Sequence, residues 1–330
     1  MNLKDIAKKL RVSRWTISRV INNEKYVREY TRKKILKYLK GINYVPNYHA
    51  SSLAGNKSRL ICLTLPTSQV VDFDVFTGET MKNISSVLEN NGYYLMIMSG
   101  GKYDSKKLIH FYETKMIGGF IIFAPSQDDM PEIRKMQRYG IPIVIVFSHD
   151  AKLDSYMSDN VQGGYMATKY LIERGREKIA FIHGHPHWVD SSDRYRGFLN
   201  ALSESNVSLY SEFVANGYFS FEQGREITRK LLQMKEKPDA IFASNDKMAL
   251  GAVSAAAEMK MKMPEDISII GYDGIYEGKF NNPPLTTVMQ PISDIVKAAS
   301  LRLLDKVKVR KKLKPVVGLF NPVLVRRGTA

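Results

Sequence analysis

Seven short apolar runs, spread over most of the chain, fix what it can fold into. They are LICLTL at 60–65, YYLMIM at 93–98, GFIIF at 119–123, PIVIVF at 142–147, KIAFIH at 178–183, AIFA at 240–243 and SIIGY at 268–272. Each is of strand length, and none shows the polar alternation of a sheet with one wet face, so the pattern predicts parallel strands buried on both sides. Stretches of helical periodicity separate them, among them Val161–Arg174, Arg196–Ser205 and Lys247–Met259. Two series of runs imply two doubly wound α/β lobes.

The first fifty residues are built differently. Leu3, Ile6, Ala7 and Leu10 recur at i, i+3, i+4, i+7, and after a short turn Ile17, Val20 and Ile21 form a second apolar stripe that can pack on the first. Ser13 stands at the N-cap position of the second helix, which leaves Arg14, Trp15, Ser18, Arg19 and Asn22 directed outward. Bidentate, aromatic and amide groups on one face suit base edges in a major groove. A third helix is expected from a cap at Thr31, with Ile35, Leu36 and Leu39 facing inward and an end at Gly41. Residues 1–50 hold thirteen Lys or Arg against Asp5, Glu24 and Glu29, a balance of +10 within a chain total of +16. Charge gathered in a small terminal module is what phosphate neutralisation requires, so the expected partner is nucleic acid.

Beyond Pro46 the segment Asn47–Gly55 (NYHASSLAG) has room for about two helical turns, marginal in isolation, and reads equally as a linker. With 330 residues and a single cysteine, Cys62 inside an apolar run, the chain forms no internal disulfide and Cys62 reads as a small buried hydrophobe. No export signal opens the sequence, and no stretch reaches the ~18 uninterrupted apolar residues of a membrane span. The expectation is a cytoplasmic protein with no membrane partner.

These parts occur in an order that resembles the LacI/GalR family of bacterial transcription regulators. The resemblance runs end to end through LKDIAKKLRVSRWTISRVIN, YVPNYHASSLAG, SDNVQGGYMATKYLIERG, DRYRGF, SNDKMALGA, EDISIIGYDG, PPLTTVMQP and LVRRG. It implies an α/β protein with a three-helix helix-turn-helix headpiece at 1–46 and a hinge helix and linker at 47–58. A periplasmic-binding-protein type I-like body would follow at 59–330, with lobe 1 at about 59–157 plus 291–320 and lobe 2 at about 158–290 plus the C-terminal segment. It implies double-stranded operator DNA as partner, a homodimer, no catalytic residues and no cofactor. By resemblance Arg14, Trp15 and Arg19 read bases, Ser13, Thr16, Ser18 and Asn22 position the helix, and Ala50 and Leu53 belong to the hinge, Leu53 as a wedge between base pairs. Arg11 stands where the family usually has Gly in the turn, so modest backbone strain is expected there. Ser51 replaces a common Arg.

Ligands of open α/β sheets sit beyond the carboxyl ends of the strands. Asn245 follows AIFAS, Asp273 follows SIIGY, Gln290 follows TTVM, and Arg194 is expected just before the helix beginning YRGF; with Phe76, Phe219 and Trp188 they offer hydrogen-bonding forks and flat faces for a polyhydroxyl ligand. Singly, each has a duller reading: Asn245 or Asp246 as a helix cap, Asp273 as a turn residue, the phenylalanines as core. The family pattern places Arg194, Asn245, Asp273, Phe219 and Gln290 at effector positions of sugar-responsive members. Trp188 and Asp190 lie in a variable stretch, and Ser148 stands where some sugar responders carry an acid. The expected effector is a small sugar or related polyhydroxyl compound controlling repression of sugar-utilisation genes. A purine-type corepressor, or a catabolite-control regulator with a phosphoprotein corepressor, is the alternative. His183, His185 and His187 alternate as ligands on a strand would, but Pro186 interrupts them and no Cys or carboxylate is suitably spaced, so no metal is expected.

Overall fold

A computed structural model describes residues 3–21, 26–44, 58–65, 75–99, 103–309 and 313–330. The chain forms two compact units, residues 1–57 and 58–330. Asn22 and the hinge residues Ala50 and Leu53 lie outside the described residues.

In the first unit α1 spans Leu3–Leu10, α2 Arg14–Ile21 and α3 Glu29–Gly41. Ile6, Ala7, Leu10, Ile17, Val20, Ile35 and Leu39 close one small core, as the helical spacing of the first two stripes requires. The chain leaves α1 through Arg11, whose φ of 53° is left-handed. The Val12 N–H reaches back to the Ala7 carbonyl at 3.1 Å, the six-to-one bond that ends a helix in this manner. Two expectations for α3 are corrected. The helix begins at Glu29 rather than being capped by Thr31; Arg28 occupies the cap position without a side-chain cap bond, and its carbonyl already accepts from the Arg32 N–H at 3.0 Å. Leu36 is 47% exposed, because Ile35 and Leu39 one turn apart define the inward stripe and Leu36 lies about 100° off it.

The second unit holds two six-stranded sheets. One contains β1 (Leu60–Thr64), β2 (Tyr94–Met98), β3 (Gly119–Phe123), β4 (Ile143–Val146), β5 (Ser155–Ser158) and β11 (Val317–Phe320), in the order β11-β5-β4-β3-β1-β2. The other contains β6 (Ile179–His183), β7 (Val214–Asn216), β8 (Ala240–Ala243), β9 (Ser268–Asp273), β10 (Thr286–Met289) and β12 (Val323–Val325), in the order β12-β10-β9-β8-β6-β7. Neighbouring strands run parallel except for the β10–β12 pair. Both faces of the central strands are covered: on β1, Ile61 and Leu63 belong to one core cluster and Cys62 to another. Burial pushes the Cys62 thiol up to about 12, so it carries no thiolate reactivity at neutral pH. The run at 93–98 is a correction in degree, since β2 is an edge strand with Tyr94 and Ile97 exposed.

The chain crosses between the sheets at 158–160, 289–292 and 320–323, and the strand ends bordering these crossings frame a cleft. Helices Asn160–Glu173 and Val189–Glu204 meet backbone to backbone. A Cβ at Gly164 would fall 2.1 Å from the Arg194 carbonyl oxygen, and one at Gly197 would fall 2.1 Å from that of Val161. Only glycine permits that approach, and it sets the position of Arg194. The Arg194 side chain therefore comes from inside a helix, whereas the sequence pattern placed it before one.

Candidate DNA-reading helix and ligand cleft

The turn before α2 is held by Ser13, whose Oγ accepts from the Thr16 N–H at 3.0 Å and lies 2.9 Å from the Thr16 hydroxyl. Thr16 is thereby tied into the cap. With Ile17 and Val20 buried, Arg14, Trp15 and Arg19 are left exposed and Ser18 half-buried. Trp15 is 73% exposed, so this aromatic supports no core. An indole and two guanidiniums held in water by a rigid helix make a surface able to fork onto base edges and phosphates.

In the second unit, Phe76, Trp188, Asp190, Arg194, Phe219, Asn245, Asp273 and Gln290 all line one cleft. Ser148 does not: it is buried, and Phe147 before it, with a φ of 59°, lines the cleft in its place. Thr77, Phe123, Ala124 and Asn160 complete the wall and were missed by sequence reasoning. Ala124, Phe147, Phe219 and Asp273 all adopt positive φ. Four non-glycine residues in a costly conformation around one cavity are the kind of stored strain that gathers at ligand sites.

Arg194 is the centre of the wall. It is 3% exposed and its Cζ sits 3.8 Å from the centre of the Tyr272 ring. Its Nε donates to Asn160 Oδ1 at 2.9 Å and its Nη1 to the Ser244 carbonyl at 2.5 Å. Asp190 and Asp273 approach at 3.5 and 3.7 Å. Burial disfavours the charged guanidinium, but the two carboxylates outweigh it and raise its pKa. For Asp190 the balance is reversed: burial raises its pKa despite Arg194. Gln290 Nε2 donates to Asp273 Oδ1 at 2.8 Å. Asn245 does cap the next helix, accepting from the Met248 N–H at 2.9 Å, and lines the cleft as well.

Behind this wall sits Asp246, fully buried. It accepts from the Gly274 and Ile275 N–H groups, both at 2.8 Å, and from the Thr287 hydroxyl at 2.5 Å. These bonds hold the turn on which Asp273 is strained at φ 115°. Aromatic faces complete the cleft: Trp188 lies 5.3 Å from Phe219 at 33°, and Phe76 packs on Phe147 at 4.9 Å. Among the three histidines, the His183 ring packs on Phe181 and Tyr195, and burial pulls its pKa down to about 4. Among the described residues no group of three or more His, Cys, Asp or Glu is arranged to hold a metal, and no helix is long and apolar enough to cross a membrane.

These parts define a class: a helix-turn-helix unit joined to a two-sheet body with a ligand cleft at its strand ends. Residues 2–47 match the model of the bacterial regulatory proteins of the lacI family, and residues 168–330 match the periplasmic binding protein-like domain. The HTH-type transcriptional repressor PurR of Vibrio vulnificus (strain CMCP6) is 33% identical over 330 residues, 98% of this chain and 97% of that protein. The protein of the same name from Vibrio atlanticus (strain LGP32) is 34% identical over 99% of this chain and 98% of its own. Among solved structures, the lac repressor dimer bound to operator and the anti-inducer ONPF superposes with a TM-score of 0.85 at 25% identity, covering 100% of this chain and 98% of that one. The transcriptional regulator CelR–cellobiose complex gives 0.76 at 25% identity, covering all of both chains. The chain belongs to the lacI family of bacterial regulatory proteins and is a DNA-binding transcriptional repressor.

Proposed function

We propose that this repressor reads operator DNA as a homodimer in the cytoplasm and that a small sugar or related polyhydroxyl compound in the cleft sets its operator affinity. The observation that carries the ligand class is the wall around Arg194, where two carboxylates and the amides of Asn160, Asn245 and Gln290 meet aromatic faces. Carboxylate and amide oxygens accept from vicinal hydroxyls, while Trp188 and Phe219 offer surfaces to the C–H face of a sugar ring. The cellobiose held by the CelR complex is of this class. Arg14, Trp15 and Arg19 read bases; Ser13, Thr16, Ser18 and Asn22 hold the helix on the backbone. The hinge with Ala50 and Leu53 enters the minor groove at the operator centre.

A ligand touching both lobes shifts their angle at the three crossings, and through the dimer this alters the spacing of the two hinges. The body then has its lobe boundaries near 157 and 290, where the chain changes sheet. The PurR name shared by the near-full-length relatives favours a second ligand class, a purine corepressor. A thermal-shift panel of mono- and disaccharides, polyols and purine bases separates the two. Stabilisation by a sugar that also changes operator affinity supports the first, and stabilisation by a purine base alone replaces it with the second.

A further inference from the structure

We infer that the cleft accepts an uncharged ligand and turns away the phosphorylated form of the same compound, an inference that rests on the cleft being the effector site. Arg194 is the sole cationic side chain among the described residues lining the cleft. An arginine that recognises a phosphate presents two parallel N–H groups to it. In Arg194 no parallel pair is presented: Nε donates to Asn160, Nη1 donates to the Ser244 carbonyl, carboxylates stand at 3.5 and 3.7 Å, and the guanidinium lies over the Tyr272 ring.

The acids decide the sign of the wall. Asp273 faces Arg194 and accepts from Gln290; counted as an ordinary carboxylate, it brings the sum of these three charged side chains to zero when Asp190 is protonated and to −1 when it is ionised. Neither state attracts an anion. Phosphate oxygens often settle on the first turn of a helix; of the four helices that start beside the cleft, two hold acids there, Asp190 and Asp246, and two, Val75–Asn90 and Asn160–Glu173, hold none. A phosphate ester brings about −1.5 to −2 charges into this cavity, whose charged side chains carry no net positive charge. A neutral polyol brings hydroxyls that the same carboxylates accept.

Matched pairs test this on the full-length protein: D-glucose with glucose 6-phosphate, D-ribose with ribose 5-phosphate, and inosine with inosine 5′-monophosphate. In a Trp15→Phe background the remaining tryptophan, Trp188, reports cleft occupancy by fluorescence, and calorimetry gives affinity. For any pair that binds, the phosphorylated member is expected to be roughly tenfold or more weaker. Inorganic phosphate should leave the Trp188 signal unchanged, and Asp190→Asn should narrow the gap within a pair. A phosphorylated member that binds as tightly as its parent, with the signal lost in Arg194→Met, overturns the inference but leaves the cleft as the effector site. Binding that leaves Trp188 and operator affinity untouched overturns the effector reading itself, and the inference with it.

Discussion

Asp246 makes the energetics of the cleft measurable. Burial drives its carboxyl up to about 7 from an ordinary 3.8, against the opposing pull of the Thr287 hydroxyl and the Ile275 and Gly274 N–H groups. An acid whose folded pKa is raised binds its proton more tightly in the native state than in the unfolded one. Its contribution to stability is therefore complete below pH 3.8 and is lost as pH rises towards about 7, after which it is flat. At about 1.4 kcal/mol per pH unit, that window amounts to about 4 kcal/mol. For a body of this size it corresponds to a melting shift on the order of 10 °C. Carboxylates with depressed pKa values, such as Glu132 at about 2, titrate with the opposite sign, so the wild type alone does not isolate the effect. Asp246→Asn does. Melting curves of both proteins from pH 4 to 8, by calorimetry, should show the wild type losing stability relative to the variant as pH rises, then running parallel above pH 7. Parallel curves throughout, or a wild type that gains on the variant with rising pH, would refute the assignment of a proton to this buried site.

Three further outcomes follow from the geometry. Arg11→Gly relieves the left-handed turn and should stabilise the headpiece by about 0.5–1 kcal/mol in denaturant unfolding; destabilisation would mean that the Arg11 side chain outweighs its backbone strain. Trp15→Ala removes an indole that supports no core, so unfolding should stay within about 0.5 kcal/mol of wild type while affinity for a selected operator falls. Gly164→Val forces a side chain into the Arg194 carbonyl and should cost roughly 1–3 kcal/mol or more, with loss of ligand response; unchanged ligand binding would show that the helix contact does not position Arg194.

What could be read in the residues divides along physical lines. Six of the seven apolar runs became β1, β3, β4, β6, β8 and β9, strands covered on both faces that must be apolar throughout, and the seventh became the edge strand β2. The strands SYMS, VAN, VGLF and VLV carried no such signal. They are three or four residues long, and their pairing is set by neighbours distant in sequence: Val317–Phe320, for instance, pairs with Ser155–Ser158. Leu36 was misplaced because one residue of helical rotation separates a buried position from a wet one. In the cleft, the rule of looking beyond strand ends found Asn245, Asp273 and Gln290. The same rule applied to GFIIF would have found Ala124, whereas Phe147 closes PIVIVF itself, one residue before Ser148. No composition signal announces a phenylalanine at φ 59°, and the family pattern points to its neighbour Ser148 instead. Asn160 was hidden behind β5, a strand too polar to be recognised, and Asp246 was legible only as a cap although it braces the turn of Asp273.

The central claim is that a ligand in the cleft governs the grip of α2 on DNA. Its most direct measurement is fluorescence anisotropy of a labelled operator duplex, at fixed salt, titrated with wild type and with Asp273→Ala, each with and without a sugar shown to bind the cleft. The account predicts that the sugar shifts the operator affinity of the wild type by about 5-fold or more and leaves the variant, whose affinity without sugar stays near wild type, unmoved. A variant that still responds to the sugar, or that loses operator binding altogether, would contradict the separation of the DNA-reading unit from the cleft that commands it.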